Sequence, residues 1–154
     1  MKNARATLYI VLSIVVPAIV LPSLLPSGVT ACEYWVAPAG DDSNPGTAAA
    51  PWATLVHASE VVPDDYCTVW VEDGEYAGKV RINRRFMTPT IFRAVHDHRA
   101  VFHHDGLVLS LSGATNVTMD GFVFRHSSPA AAPLVVQVDG SAAGYGEYIT
   151  LRNN

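Results

Sequence analysis

Positive charge is scarce in this sequence, which has 10 Lys and Arg residues against 14 Asp and Glu residues and a formal net charge of −4 at pH 7. Two of the basic residues, Lys2 and Arg5, lie at the N-terminus, so the remainder of the chain is more acidic still. Nucleic-acid binding requires a basic surface that neutralises phosphates. The composition therefore excludes nucleic acid as the expected partner.

A long uninterrupted apolar segment is also absent. The apolar run over residues 6–20 is broken by Pro17, so it falls short of the ~18 residues that a permanent membrane helix needs. Two basic residues precede this run, and small residues lie just before Cys32. This order is typical of a secretory signal. We predict a signal peptide at residues 1–31, a single domain over 32–154, and a bacterial protein that is secreted or held at the cell surface. An uncleaved anchor is the alternative.

The chain has only two cysteines, Cys32 and Cys67. Two cysteines in an exported chain favour a disulfide. Each precedes a strand-like run, "EYWVA" or "TVWVE", and if those strands are parallel neighbours the sulfurs can reach each other. The alternative is that "VTAC" resembles the lipobox of bacterial lipoproteins, in which this cysteine carries the lipid. The disulfide is the favoured interpretation, and membrane attachment through a lipid on Cys32 remains open.

Helical patterns are almost missing from the sequence. The single predicted helix lies in "ATLVHASEVV", where Thr54 can cap the N-terminus, Leu55, Ala58 and Val62 share one face, and Pro63 follows. Beyond it no helical spacing recurs. This excludes a βαβ fold, because parallel strands in that fold are joined by helical crossovers.

Short strand-like runs fill the rest of the chain. They are "TVWVE", "KVRIN", "TIFRA", "AVFHH", "LVLSL", "NVTMD", "FVFRH", "LVVQV" and "YITLR". Corresponding positions are Val69, Ile91, Val117 and Ile149 in one set, and Val80, Val101 and Phe122 in another. A recurrence of about 21 to 32 residues without intervening helices indicates an all-β solenoid. A β-sandwich is the alternative, since it also uses many short strands.

One stretch carries a family resemblance. The segment "YWVAPAGDDSNPGTAAAPWATLVHASEVV", continued by "TVWVEDGEYAGKVRI", resembles the N-terminal region of secreted right-handed parallel β-helix proteins of the pectin-lyase-like fold. The resemblance covers residues 34–154, with "NVTMDGFVF" and "YITLRNN" similar to ordinary coils. It departs at "PDDYCTVWV", where relatives have Pro-Gly-Asp-Thr before the strand. It implies a right-handed parallel β-helix whose open N-terminal end is covered by the short helix.

The resemblance also implies a function. Proteins of this fold include lyases that cleave uronate-containing polysaccharides by β-elimination, so we expect the chain to bind, or in a longer form to cleave, an acidic extracellular polysaccharide. No catalytic residue of those enzymes can be carried over to a position in this sequence. The alternative is a non-enzymatic surface, adhesion or structural module, because a fold alone does not determine a function.

A local basic segment provides the candidate binding site. It consists of Lys79, Arg81, Arg84, Arg85 and Arg93, with no acidic residue among them. Strand alternation in "KVRIN" places Val80 and Ile82 inward, so Lys79 and Arg81 point outward together. In an acidic chain such a strip suits a carboxylated or sulfated glycan. The alternative is a solvated strand edge whose charges prevent aggregation.

Two polar clusters contain side chains that could bind a metal ion. Asp41, Asp42, Ser43 and Asn44 could hold a calcium ion, but they are more typical of side chains that stabilise their own turn. The tract "HDHRAVFHHD" has imidazoles that could bind a transition metal, yet neighbouring strand residues point to opposite faces. We therefore expect no metal site, with calcium in the first cluster as the open possibility.

The last residues, "EYITLRNN", combine a strand with a turn. In a solenoid the last coil exposes its apolar side chains and backbone groups unless something covers them. Here these side chains are Ile149 and Leu151, with Val136 and Val138 in the preceding row. The expectation is an N-terminal part of a longer β-helix that associates through this end when expressed alone.

Overall fold

The computed structural model describes residues 32–128, 134–139 and 147–154. The predicted signal peptide at 1–31 lies outside these residues. The strands are β1 (Glu33–Val36), β2 (Thr68–Val71), β3 (Gly74–Ala77), β4 (Val80–Arg81), β5 (Arg85–Ala94), β6 (Ala100–His103), β7 (Leu109–Ser110), β8 (Thr115–Asp120), β9 (Phe122–Arg125), β10 (Val136–Gln137) and β11 (Glu147–Arg152). One helix, α1 (Leu55–Val61), lies between β1 and β2.

The strands form three parallel sheets. The long sheet has the order β1-β2-β5-β8-β11, sheet II has the order β3-β6-β9, and sheet III has the order β4-β7-β10. From β2 onward the chain enters the long sheet, sheet II and sheet III in that order, and then repeats the cycle. All strand pairs in these sheets are parallel. The chain is therefore an all-β protein built from parallel sheets.

The core lies between the three sheets. In the long sheet Val69, Phe92 and Met119 are paired in register on successive strands, and all three are fully buried. The predicted alignment of Val69 with Ile91 is one residue off. The strand alternation places Ile91 on the outer face, because side chains on a strand change face at each residue.

The edge of β1 is covered by the loop over residues 37–54. Trp35 N donates to Gly46 O at 2.8 Å, and Trp52 N donates to Trp35 O at 2.9 Å, so the backbone of β1 has partners on this side. Tyr34 stacks on the Trp52 ring with centroids 4.9 Å apart. The loop therefore covers this edge of the long sheet at Trp35.

Helix α1 closes the apolar interior beside that loop. Its N-cap is Thr54, whose hydroxyl accepts a hydrogen bond from His57 N at 3.1 Å, as the sequence predicts. Leu55, Ala58 and Val62 are buried, which confirms the predicted apolar face. In the described part of the chain no helix is long and apolar enough to cross a membrane.

Candidate functional site

Two of the predicted basic residues lie on the outer face of sheet III. Val80 and Ile82 are buried, so Lys79 and Arg81 are exposed beside β4, as the strand alternation predicts. Arg81 pairs in register with Ser110 of β7, and Ser110 pairs with Gln137 of β10. Within the described residues neither Lys79 nor Arg81 has a recorded ion pair or side-chain hydrogen bond. Their charges are therefore available to a ligand.

Arg84 has a different partner. Its Nη1 atom donates to the carbonyl oxygens of Ser59, Glu60 and Val62 at 3.3, 2.9 and 2.7 Å. The guanidinium also lies 4.7 Å from the centroid of the Phe86 ring. The last carbonyls of a helix have no partner within the helix, and Arg84 supplies one for the end of α1. Its charge is engaged in holding the helix in place.

Arg93 lies on the outer face of the long sheet. It contacts Asp120 of β8 through Nε at 2.7 Å and Nη2 at 2.6 Å, and Arg152 of β11 reaches the same Asp120 oxygen at 2.9 Å. Asn153 Nδ2 donates to the other oxygen at 2.9 Å. Trp70 lies on the far side of Arg93, with its ring centroid 5.9 Å away. Arg93 therefore belongs to a row of paired charges along the sheet.

The environment of Asp120 determines its ionisation. Its side chain is only 2 % exposed. Desolvation by itself raises the pKa of this carboxyl, but the hydrogen bonds from Arg93, Arg152 and Asn153 outweigh it and hold the pKa below its usual range. Asp120 is thus a carboxylate that joins β5, β8 and β11.

The five predicted residues are accordingly spread over two sheets and the connection between them. Lys79 and Arg81 lie at β4 in sheet III, and Arg84 lies in the connection. Arg85 is exposed at the start of β5, and Arg93 is near the end of the same strand in the long sheet. Of these five cations, Lys79 and Arg81 are the two whose side chains have no ion pair or hydrogen bond among the described residues, so their charges are available to a ligand.

A pocket of ≈ 230 Å³ lies next to Lys79. One wall comes from the loop over residues 37–54, including Pro38 and Thr54, and another from Glu75 to Val80, with Phe102 behind them. Strand alternation did not indicate this pocket, because it forms between α1 and sheets II and III.

The polar groups around this pocket are arranged in pairs. Arg125 Nη2 donates to both oxygens of Glu75 at 3.1 and 3.0 Å, and His103 Nε2 lies 3.7 Å from Glu75. Tyr76 donates its hydroxyl to Glu72 O at 2.9 Å. Burial, followed by the nearby Glu72 and Asp73 charges, raises the pKa of Tyr76, so this hydroxyl stays protonated at neutral pH.

The acidic loop uses its oxygens internally. Asp41 accepts from Ser43 N at 2.8 Å and from Ser43 Oγ at 2.7 Å. Asp42 accepts from Ala53 N and Thr54 N at 2.9 Å each, and from Thr54 Oγ1 at 2.7 Å. These bonds tie the loop to the start of α1, as expected for side chains that stabilise their own turn.

Trp52 explains the glycine of the same loop. Its Nε1 donates to Asn44 O at 2.8 Å. Gly46 lies under the indole, where a Cβ would come within 2.5 Å of the ring, and its φ is +75°. Glycine adopts this left-handed conformation without a steric penalty.

Two imidazoles of the histidine tract have separate partners. His96 Nδ1 lies 3.0 Å from Asp73 Oδ1, and His103 Nδ1 lies 2.9 Å from Ser127 Oγ. His98 lies in a turn with a φ of 63°. Over residues 32–128 and the two later described segments, no three His, Cys, Asp or Glu residues are grouped as metal ligands.

Cys32 and Cys67 form a disulfide bond, with their Cα atoms 4.5 Å apart. The register explains the pairing, since Glu33 lies opposite Thr68 and the preceding residues therefore lie opposite each other. Cys67 is fully buried. The bond joins the beginnings of β1 and β2 at the capped end of the long sheet.

The fold defines the class as an all-β protein of parallel sheets. Comparison with protein-family models, curated proteins and solved structures gives no match. The function is therefore argued from the residues of this chain.

Proposed function

We propose that residues 32–154 form a right-handed parallel β-helix of the pectin-lyase-like kind. The three parallel sheets, entered by the chain in a repeated order, support this proposal. Parallel connections within one sheet are right-handed in about 98 % of cases, which favours the right-handed form. The loop over 37–54 and helix α1 have the covering role that such a fold requires at its first coil.

We also propose that the protein is exported. The bond between Cys32 and Cys67 supports export, because disulfides persist in oxidising compartments and are rare in the cytosol. The basic and apolar character of residues 1–31 is consistent with a secretory signal.

The proposed function is binding of an acidic extracellular polysaccharide at sheet III. The observation that carries it is the exposed pair Lys79 and Arg81, which has no recorded ionic partner in the described residues. Ser110 and Gln137 continue the Arg81 row, but Ser110 is buried and Gln137 Nε2 donates to Asp139, so the two cations are the groups that would contact the polymer. Uronates and sulfates carry the anionic oxygens that these cations recognise.

The experiment compares Arg81→Glu with Arg99→Glu, measuring binding to alginate, pectate and chondroitin sulfate, with dextran as the neutral polymer. Both variants change the protein charge equally, but Arg99 lies in the turn before β6 rather than on sheet III. Of the two variants, we expect Arg81→Glu to abolish binding and Arg99→Glu to retain it. Binding by the wild type should weaken as the salt concentration rises. Equal binding by the two variants would refute the proposal.

A parallel assay for unsaturated uronate separates binding from cleavage by β-elimination. Release of this product by the wild type would establish an activity in addition to binding. Binding without release of this product would show that the chain binds the polymer but does not cleave it by β-elimination.

A further inference from the structure

A cleft lies on the outer face of the long sheet, where β1, β2 and β5 end. We call it the Trp35 cleft. Its volume is ≈ 300 Å³, and its lining consists of Trp35, Glu72, Asp73, Val95 and His96. Val36 and Val71 are buried in the core. Because side chains alternate along a strand, the neighbouring Trp35 and Glu72 therefore point to the outer face.

The neighbouring tryptophan shows how this sheet pairs an indole with a cation. Trp70 lies opposite Trp35 in register, and its ring centroid is 5.9 Å from the guanidinium of Arg93. On its other side Arg93 pairs with Asp120 at 2.6 Å. An indole face attracts a cation through its quadrupole. On the outer face of this sheet, an indole and a carboxylate thus hold one guanidinium between them.

The Trp35 cleft has the indole and the carboxylates of such an arrangement without the cation. Among the described residues, Trp35 has no aromatic ring or guanidinium against it, and its Nε1 has no hydrogen-bond acceptor. The Asp73 carboxylate lies 3.0 Å from His96 Nδ1, whereas the Glu72 carboxylate has no partner in the same part of the chain. The lining contains no Lys or Arg, so Glu72 supplies an uncompensated negative charge beside the indole.

We propose that the Trp35 cleft binds a small organic cation, namely an alkylammonium or alkylguanidinium group. The charged group lies between the indole face and the Glu72 carboxylate, and the alkyl part lies against Val95, which is 42 % exposed. The indole wall distinguishes this site from one for calcium, which is bound by a shell of oxygen ligands.

The cleft is separate from the proposed polysaccharide site. It lies on the long sheet, whereas Lys79 and Arg81 lie at sheet III. Neither proposal depends on the other, so the Arg81→Glu experiment and the one below can fail independently.

The test compares butylammonium with butanol, which has the same alkyl chain without the charge. Binding is followed by NMR titration of the backbone amide signals at constant ionic strength, so that screening is the same throughout. The variants are Trp35→Leu and Glu72→Gln. Their controls are Trp70→Leu and Glu33→Gln, because Trp70 and Glu33 lie on the same two strands, bond to each other at 3.2 Å and do not line the cleft.

We expect the wild type, Trp70→Leu and Glu33→Gln to bind butylammonium alike and to bind butanol more weakly. Trp35→Leu and Glu72→Gln should each weaken binding of butylammonium about twofold to fivefold, as for loss of one exposed cation–π contact or one exposed ion pair. The double variant should not bind it measurably. Unfolding curves show whether each variant is folded. Equal binding of butylammonium and butanol, or equal losses in Trp35→Leu and Trp70→Leu, would overturn the proposal.

A capped Gly-Lys-Gly peptide identifies the source of the cation. Lysine carries the same alkylammonium group as the free amine. Binding of both probes at the Trp35 cleft would support a lysine side chain of a partner protein as a ligand. Binding of butylammonium without the peptide would restrict the ligand to free amines. Binding of neither probe would reject the site.

Discussion

Arg84 and Arg93 belong to the same basic segment of the sequence but stabilise different parts of the fold. Arg84 donates to carbonyls at the end of α1, whereas Arg93 pairs with Asp120 on the next strand of the long sheet. Lys79 and Arg81 remain exposed on sheet III. The role of each cation therefore follows from the groups that the fold brings near it.

Replacement of Arg84 tests its role at the helix end. Arg84→Met keeps the apolar stem but leaves three carbonyl oxygens without this charged donor, and we expect the free energy of unfolding to fall by about 1–3 kcal/mol. Urea unfolding measures the change. Arg81→Met, at an exposed position, should change it by less than about 0.5 kcal/mol. An equal loss in both variants would contradict the assignment.

Asp120 should make stability depend on pH below its ordinary pKa of 3.8. Because the folded-state pKa is lowered, the carboxylate contributes stability that is fully present above 3.8 and is lost as the pH falls through the folded value. We expect Asp120→Asn to reduce stability at pH 7 and to flatten the stability profile in this acidic range. Unfolding curves from pH 7 to pH 2 measure both effects, with Asp105→Asn as the control. An unchanged profile in Asp120→Asn would show that other groups dominate.

The elements show which features can be predicted from sequence. Helix α1 was predicted because a cap, an apolar face and a proline lie close together in the chain. Strand β3 and the first half of β5 were missed: β3 begins with Gly74 and has one large apolar residue, while Pro89 argues against a strand. In β5, Pro89 lies in the segment where the register with β8 shifts.

Contacts between elements were harder to predict for a physical reason. Arg84 and Glu60 are separated by 24 residues, and Arg93 and Asp120 by 27. Turns of variable length lie between them, so an approximate recurrence cannot fix a register to one residue. A shift of one residue exchanges the inner and outer faces, so aligning Ile91 with Val69 gives the wrong face for Ile91. The pocket was missed for the same reason, since its walls come from several elements.

The disulfide joins the beginnings of strands β1 and β2. Non-reducing peptide mapping of the protein should recover Cys32 linked to Cys67. Replacing both with alanine should lower the free energy of unfolding by about 2–4 kcal/mol, because the bond closes a loop with a sequence separation of 35 in the unfolded chain. Wild type unfolded with and without reductant is the companion measurement. A diacylglyceryl group on Cys32 would exclude the bond, since one sulfur cannot carry both.

At the scale of the whole molecule, the two edges of the long sheet differ. The β1 edge is paired with the 37–54 loop, whereas among the described residues β11 pairs only with β8. Tyr148 is 77 % exposed and Leu151 is 42 % exposed on this strand. An edge strand with free backbone groups and exposed apolar side chains favours association between molecules.

The β11 edge should therefore govern self-association. Residues 32–154, expressed alone, should form concentration-dependent oligomers in size-exclusion chromatography with light scattering, and Leu151→Lys should shift them toward monomer. Thr118→Lys adds the same charge on the outer face of β8 and should leave association unchanged. A wild-type protein that is monomeric at all concentrations would contradict this prediction.

The two ends of the long sheet differ in the restraints that hold their edge strands. At the β1 edge the loop and the disulfide hold the same strand, while among the described residues β11 is held by one neighbouring strand and by Asn153 and Asn154, whose side chains bond back to residues of β8 and β9. In a stack where each strand depends on its neighbours, local opening starts where the restraints are fewest. Fraying would thus advance from β11 through β8 and β5. The strands β1 and β2, which the bond between Cys32 and Cys67 joins, would separate last.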